Sequence, residues 1–209
     1  MGKRFIEIEY TGKVKDGEVF DTTDEKVAKE NNIFNEKGKY GPLIICIGEG
    51  HVIRGLDKEL SDKKEGSYSF EIKTEDAFGK RDAKLLQLIP TQKLKQNNIR
   101  PFPGLQLNVD GNIATIKTVS GGRCVVDFNH PLSGKDVIYE VKILKDITDD
   151  VKKVKSILSI EAKLKPEVEK KGEEILIKGK LPENVREILK KRLSELIDSK
   201  IAFEENKSS

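Results

Sequence analysis

The segment that most constrains the fold of this 209-residue chain lies late in it, at residues 137–144, VIYEVKIL. It reads as a long apolar strand, and a strand of that length needs a sheet to join. The available sheet opens at the N-terminus, where Phe5, Ile6, Ile8 and Tyr10 alternate with charges as in a half-buried strand. Asp16-Gly17 is a hairpin-type turn, after which Val19-Phe20 resumes an extended run. Residues 24–41 are polar and read as a loop or short helix, 43–47 as a buried strand, and 67–72 as an alternating strand. In GEGHVIRGLDKEL (48–60), a glycine-punctuated turn leads into a short helix whose Leu56 and Leu60, four apart, share one face.

If 137–144 completes the sheet begun at 4–10, then residues 83–127 are an insertion in a loop of the first domain. Their texture differs: a Leu/Ile run to Pro90, then strand-like segments with hairpin signals at Asp110-Gly111 and Gly121-Gly122. That describes a small, mostly β module. Residues 145–155 are charge-rich and read as a linker. Beyond them SILSIEAKL and EEILIKGKL read as strands, and Val185, Ile188, Leu189, Leu193, Leu196 and Ile197 recur at helical spacing after Pro182. KIAFEE closes the segment as a short strand. The expected domains are 1–82 with 128–148, an insert at 83–127, and a C-terminal α+β domain at 149–209. A unit of that last size is marginal alone, and its apolar stripe and sheet edges predict a homodimer through it.

Composition excludes several classes. No run approaches the ~20 apolar residues of a membrane span. The first residues enter a strand pattern at once, so no cleavable signal and a cytoplasmic location are expected. Cys46 and Cys124 match no zinc spacing and read as buried thiols. Net charge is +3; residues 83–127 carry 6 basic and 2 acidic side chains, residues 151–209 carry 15 and 11, and the remainder 18 and 23. This asymmetry suits an interaction surface but is too mild for nucleic-acid binding, and no basic cluster with interleaved aromatics is present.

Four ordered blocks carry a resemblance: YTGKVKDGEVFDTT (10–23), IGEGHVIRGLDKEL (47–60), DAFGKRD (76–82) and VDFNHPLSGKDVIYEV (126–141). Together they resemble an FKBP-type peptidyl-prolyl isomerase, most closely the SlyD-type and archaeal long forms, whose flap carries an inserted domain. The resemblance covers about residues 1–145. It implies an α+β fold with an antiparallel sheet wrapped around one short helix, and an apolar pocket between them. Matched position by position, it implies catalytic roles for Tyr10, Asp21 and Ile53, with the Ile53 N–H donating to a substrate carbonyl. Phe20, Leu43, Val52, Leu56, Phe78, Phe128, His130 and Tyr139 would line the substrate site. Leu56 stands where single-domain relatives have Trp. Phe78 stands where many have Tyr, keeping the wall but losing a donor. His51 reads as a turn residue.

The chemistry implied needs no nucleophile. Twisting an X-Pro amide works against a barrier of ~18–20 kcal/mol set by resonance. The planar amide is more charge-separated than the twisted one, so an apolar pocket disfavours the planar form more. The expected partners are unfolded or nascent chains containing X-Pro bonds, held in part by the insert. A holdase or binding scaffold with weak or no isomerase activity is the alternative. SlyD-type tails that bind nickel are rich in His and Cys; this sequence ends FEENKSS, so neither metal nor cofactor is expected.

Overall fold

The computed structural model describes residues 3–109 and 111–204. In chain order the elements are β1 (Phe5–Val14), β2 (Val19–Thr22), α1 (Glu25–Glu30), β3 (Leu43–Cys46), α2 (Arg54–Leu60), β4 (Gly66–Ile72), β5 (Leu86–Pro90), α3 (Thr91–Gln96) and β6 (Gln106–Val109). They continue as β7 (Asn112–Ser120), β8 (Arg123–Asp127), β9 (Val137–Asp146), α4 (Asp150–Ile160), β10 (Glu167–Lys171), β11 (Glu174–Lys178), α5 (Glu183–Leu196) and β12 (Lys200–Glu204). Lys73–Asp136 forms one compact unit, and the two flanking stretches together form the other.

In the larger unit the sheet runs β2-β1-β9-β4, with β3 also paired to β1, all antiparallel. The late strand β9 thus lies at the centre, hydrogen-bonded to β1 on one side and β4 on the other. Helix α2 packs on β4 and buries Leu56 and Leu60 completely. It is only seven residues long, opening at Ile53, which takes extended angles as its N-cap, and ending at Ser61. The turn before β2 has Asp16 at φ 59°, with the Gly17 N–H donating to the Val14 carbonyl.

The C-terminal segment departs from expectation. The stretch read as a linker and then a strand, 145–160, is the end of β9 followed by helix α4. The Asp149 carboxylate accepts from the N–H groups of Val151 and Lys152 and so starts the helix. Val154, Ile157 and Leu158 fill one buried stripe, while Lys152 and Lys155 on the opposite side are exposed. Val151, Val154, Ile157 and Leu158 hold the three- and four-residue spacing of a helix, but a boundary at 155 divides them between linker and strand and hides it. Strand β10 was also unexpected: its only buried residue is Val168, which lies opposite Ile177 of β11. Strands β11 and β12 are parallel, joined across α5, a pairing that requires such a crossover.

This segment is not a bead on a tether. Val154, Ile157, Leu158, Val168, Ile175, Ile177, Leu193 and Leu196 share one core with Phe5 of β1 and Cys46 of β3. Consecutive strand residues face opposite sides, so with Phe5 and Ile6 both buried, β1 is covered on both faces at its start rather than half-buried. Most of the α5 stripe expected to seek a second copy is therefore covered within the chain; Ile188 is the member left at 67% exposure.

The smaller unit is a four-stranded sheet ordered β5-β8-β7-β6 around a core of Leu94, Leu107, Ala114, Ile116, Cys124 and Val126. Gly121 and Gly122 both have positive φ and make the two-residue turn between β7 and β8, as a hairpin of that hand requires. Asp136 joins the unit's two ends: it accepts from the N–H and hydroxyl of Thr74 at 2.9 and 3.0 Å and from the Lys73 ammonium at 3.0 Å. These bonds, the Lys73 contact first, hold its carboxyl down at about 2. Asp110 of the expected Asp110-Gly111 turn, and residues 205–209 of the expected metal-free tail, lie outside the described residues.

Candidate functional site

A backbone irregularity builds the aromatic part of the site. Between β1 and β2, Gly12 pairs with Asp21 and Lys13 with Val19, so Phe20 is an extra residue on its strand. Such a bulge re-aims side chains. Gly12 also lies opposite Tyr139 on β9. The Phe20 ring meets the Tyr139 ring edge-on at 5.8 Å between centroids, and Tyr10 lies 5.8 Å from Tyr139 at 53°. A Cβ on Gly12 would come within 2.9 Å of both the Phe20 and Tyr139 rings, so the cluster exists because that position has no side chain.

Tyr10 sits diagonally across the strand pair from Asp21, within reach of a long side chain. Its hydroxyl donates to Asp21 Oδ2 at 2.8 Å. Burial, then the nearby Asp21 charge and that hydrogen bond, push the Tyr10 hydroxyl well above its ordinary value, and burial does the same to Tyr139. Both phenols stay protonated and neutral. Tyr10, Asp21 and Leu43 also line one cleft of about 800 Å³, together with Lys152 and Ser156 of α4. Phe20 and Asp21 line a smaller cavity of about 290 Å³.

Val52 and Ile53 immediately precede α2, Leu56 lies in its first turn, and none of the three lines these cavities. The Ile53 carbonyl accepts from Asp57, while its own N–H makes no hydrogen bond among the described residues. An unsatisfied N–H at a helix start is a ready donor. His51 lies in the turn before α2, with its side chain 3% exposed.

Phe78, Phe128 and His130 belong to the smaller unit. Phe78 and His130 stack face to face, 4.8 Å apart and 3° from parallel. The loop is tied by the Ser133 hydroxyl, which donates to the Phe78 carbonyl, and by the Gly134 N–H, which donates to the Gly79 carbonyl. Phe128 packs against the insert core. Among the described residues no group of three or more His, Cys, Asp or Glu is placed to hold a metal, and no helix is long and apolar enough to cross a membrane.

The comparisons with known proteins decide the family. The chain is 31% identical over 140 residues to the short-type peptidyl-prolyl cis-trans isomerase of Methanocaldococcus jannaschii, covering 66% of this chain and 88% of that one. The chain belongs to the FKBP-type peptidyl-prolyl isomerase family. It is 28% identical over 152 residues to the FKBP-type isomerase SlyD of Treponema pallidum, covering 69% of this chain and 78% of the relative. With the 16 kDa FKBP-type isomerase of Escherichia coli the identity is 26% over 143 residues, covering 66% and 87%. Residues 87–132 match the family model described as FKBP26, IF domain. Among solved structures, the three FKBP domains of wheat FKBP73 align with 71% of this chain and 40% of theirs, at 19% identity and a TM-score of 0.35, too weak to support any argument. The chain is thus an FKBP-type isomerase by family, with a mixed α+β fold.

One group of residues escaped sequence reasoning: Lys3, Glu49, Glu161 and Arg192. They join the turn before α2 to the C-terminal segment. No linear motif marks them, since His51 and its partner Glu161 are 110 residues apart in sequence.

Proposed function

We propose that this FKBP-type isomerase accelerates cis/trans exchange at X-Pro bonds of unfolded or nascent chains, with Tyr10, Asp21 and Ile53 meeting the substrate. The hydrogen-bonded Tyr10–Asp21 pair beside Tyr139 and Phe20 carries this reading: neutral phenols and aromatic walls, without a nucleophile and its base. Proline enters an apolar surface, which destabilises the planar amide relative to the twisted one. The Ile53 N–H is free to take the carbonyl oxygen preceding or following the ring. Phe20, Leu43 and Val52 supply apolar surface, the buried Tyr139 and Leu56 back it from behind, and the stacked Phe78–His130 pair and Phe128 are assigned substrate contacts of their own. Asp21→Ala is expected to lower kcat/KM on a short proline peptide by roughly tenfold, about 1.4 kcal/mol of transition-state stabilisation. An unchanged rate of exchange, followed by NMR on a folded variant, refutes the assignment.

The inserted unit is proposed to hold clients. Leu86 and Leu88 on the outer strand β5, and Ile113 and Phe102, are exposed, Leu88 at 57%. Exposed apolar side chains on one small sheet suit the capture of an unfolded chain where they form a continuous patch. Tethered clients meet the isomerase site more often. Removing residues 83–127 should spare short-peptide turnover and slow the refolding of a proline-limited protein; equal refolding rates contradict it. The same exposed residues favour the second reading, a holdase with weak isomerase activity, which predicts client binding without acceleration of the short peptide. A cytoplasmic location, no nucleic-acid partner and a homodimer through 149–209 complete the proposal.

A further inference from the structure

The turn that presents Val52 and Ile53 is held from two sides. From its own helix, the Asp57 carboxylate accepts from the Gly48 N–H at 2.9 and 3.0 Å and from the Gly50 N–H at 3.4 Å. Gly48 and Gly50 sit at φ 83° and 70°, so this backbone has little steric restraint of its own.

From the other side comes the C-terminal segment. His51, its side chain 3% exposed, accepts the Cys46 N–H at Nδ1 (3.0 Å), which leaves its proton on Nε2, 3.0 Å from Glu161 Oε1. Glu161 is the C-terminal cap of α4. Arg192 of α5 grips the same carboxylate with two prongs, Nε to Oε2 at 3.0 Å and Nη2 to Oε1 at 2.8 Å. Arg192 Nη2 also reaches Glu49 Oε2 at 2.8 Å, and Lys3 holds the other oxygen of Glu49 at 3.0 Å. Two side chains of the turn, Glu49 and His51, are thus anchored to two C-terminal helices through a fork whose planar geometry fixes direction as well as distance.

We propose that Arg192 and Glu161 are positioning residues of the isomerase: the C-terminal segment clamps the 48–53 turn and so fixes where Val52 and the Ile53 N–H stand. Its bearing on catalysis rests on the reading that Val52 and Ile53 meet the substrate. Small displacements of a positioned donor cost rate without unfolding anything.

The test uses the full chain, with Arg192→Leu, Arg192→Lys and Glu161→Gln. Two quantities are read: kcat/KM on a short proline peptide, and amide hydrogen–deuterium exchange. Arg192→Leu is expected to lower kcat/KM about three- to tenfold, and to speed exchange at residues 48–53 while β9 stays protected. Arg192→Lys, which keeps the charge but not the fork, should recover part of both. Glu161→Gln keeps an acceptor for His51 and should fall between wild type and Arg192→Leu, and it serves as the readout if Arg192→Leu does not fold. Wild-type kcat/KM in Arg192→Leu overturns the proposal, even if exchange rises. So does a loss spread evenly over the larger unit that Arg192→Lys does not relieve. If Asp21→Ala keeps its rate while Arg192→Leu loses it, the clamp stands and the Tyr10–Asp21 assignment falls.

Discussion

Gly12 shows how a single residue sets the site. It lies in the 10–23 block with no role assigned to it there, yet Phe20 and Tyr139 close over it, and any side chain there must displace both rings. Gly12→Ala should cost about 1–3 kcal/mol of stability by overpacking and depress isomerase activity; a denaturation midpoint equal to wild type would show that the rings yield freely. Glu161 is the second telling residue. The Arg192 hydrogen bonds, outweighing burial, hold its carboxyl below the ordinary 4.5. A carboxylate whose folded value is depressed contributes stability that is present above its unfolded value and is lost as pH falls through the folded one. The stability gap between wild type and Glu161→Gln should therefore be steady from neutrality to about pH 5 and close as the pH drops below the 4.5 of the unfolded chain, as thermal scans across that range will record. Cys46, pushed up to about 12 chiefly by burial, takes no part in this chemistry.

Among elements, α4 carries the largest departure from sequence-based expectation. Its apolar residues show helical spacing only when the stretches read as linker (145–155) and strand (from 156) are joined; Asp149 caps the helix, and β3 and β10 give its stripe a surface to cover. Leu158, fully buried in the shared core, is the sharpest probe of that packing. Leu158→Ala should destabilise the chain by about 2–5 kcal/mol, measured by urea denaturation. A loss under about 1 kcal/mol would mean that the helix contributes little to the common core. By contrast β1 and β4 are legible from alternation, β9 from its long apolar run, and α2 from its glycine turn and the Leu56–Leu60 spacing.

On the scale of the whole molecule, the C-terminal segment completes one face of the larger unit instead of standing apart. The association proposed for it rests on what that packing leaves open: Ile188 on α5 and the outer edges of β10 and β12. Light scattering at tens of micromolar is expected to give twice the 23.5 kDa chain mass; a monomeric mass removes the homodimer from the proposal.

Sequence by itself determined the strand order's main constraint, the insertion between β4 and β9, the polar–apolar alternation of the first sheet, and the four blocks that identify the family. Those features are local, or repeat at fixed spacing, and so survive in one dimension. Only the tertiary structure decided the rest: that Phe5 and Cys46 face the core of α4 and α5, that a bulge at Phe20 turns its ring onto Tyr139, and that Arg192 reaches Glu49. Each depends on residues far apart in the chain meeting in register, and no spacing in the sequence encodes that meeting.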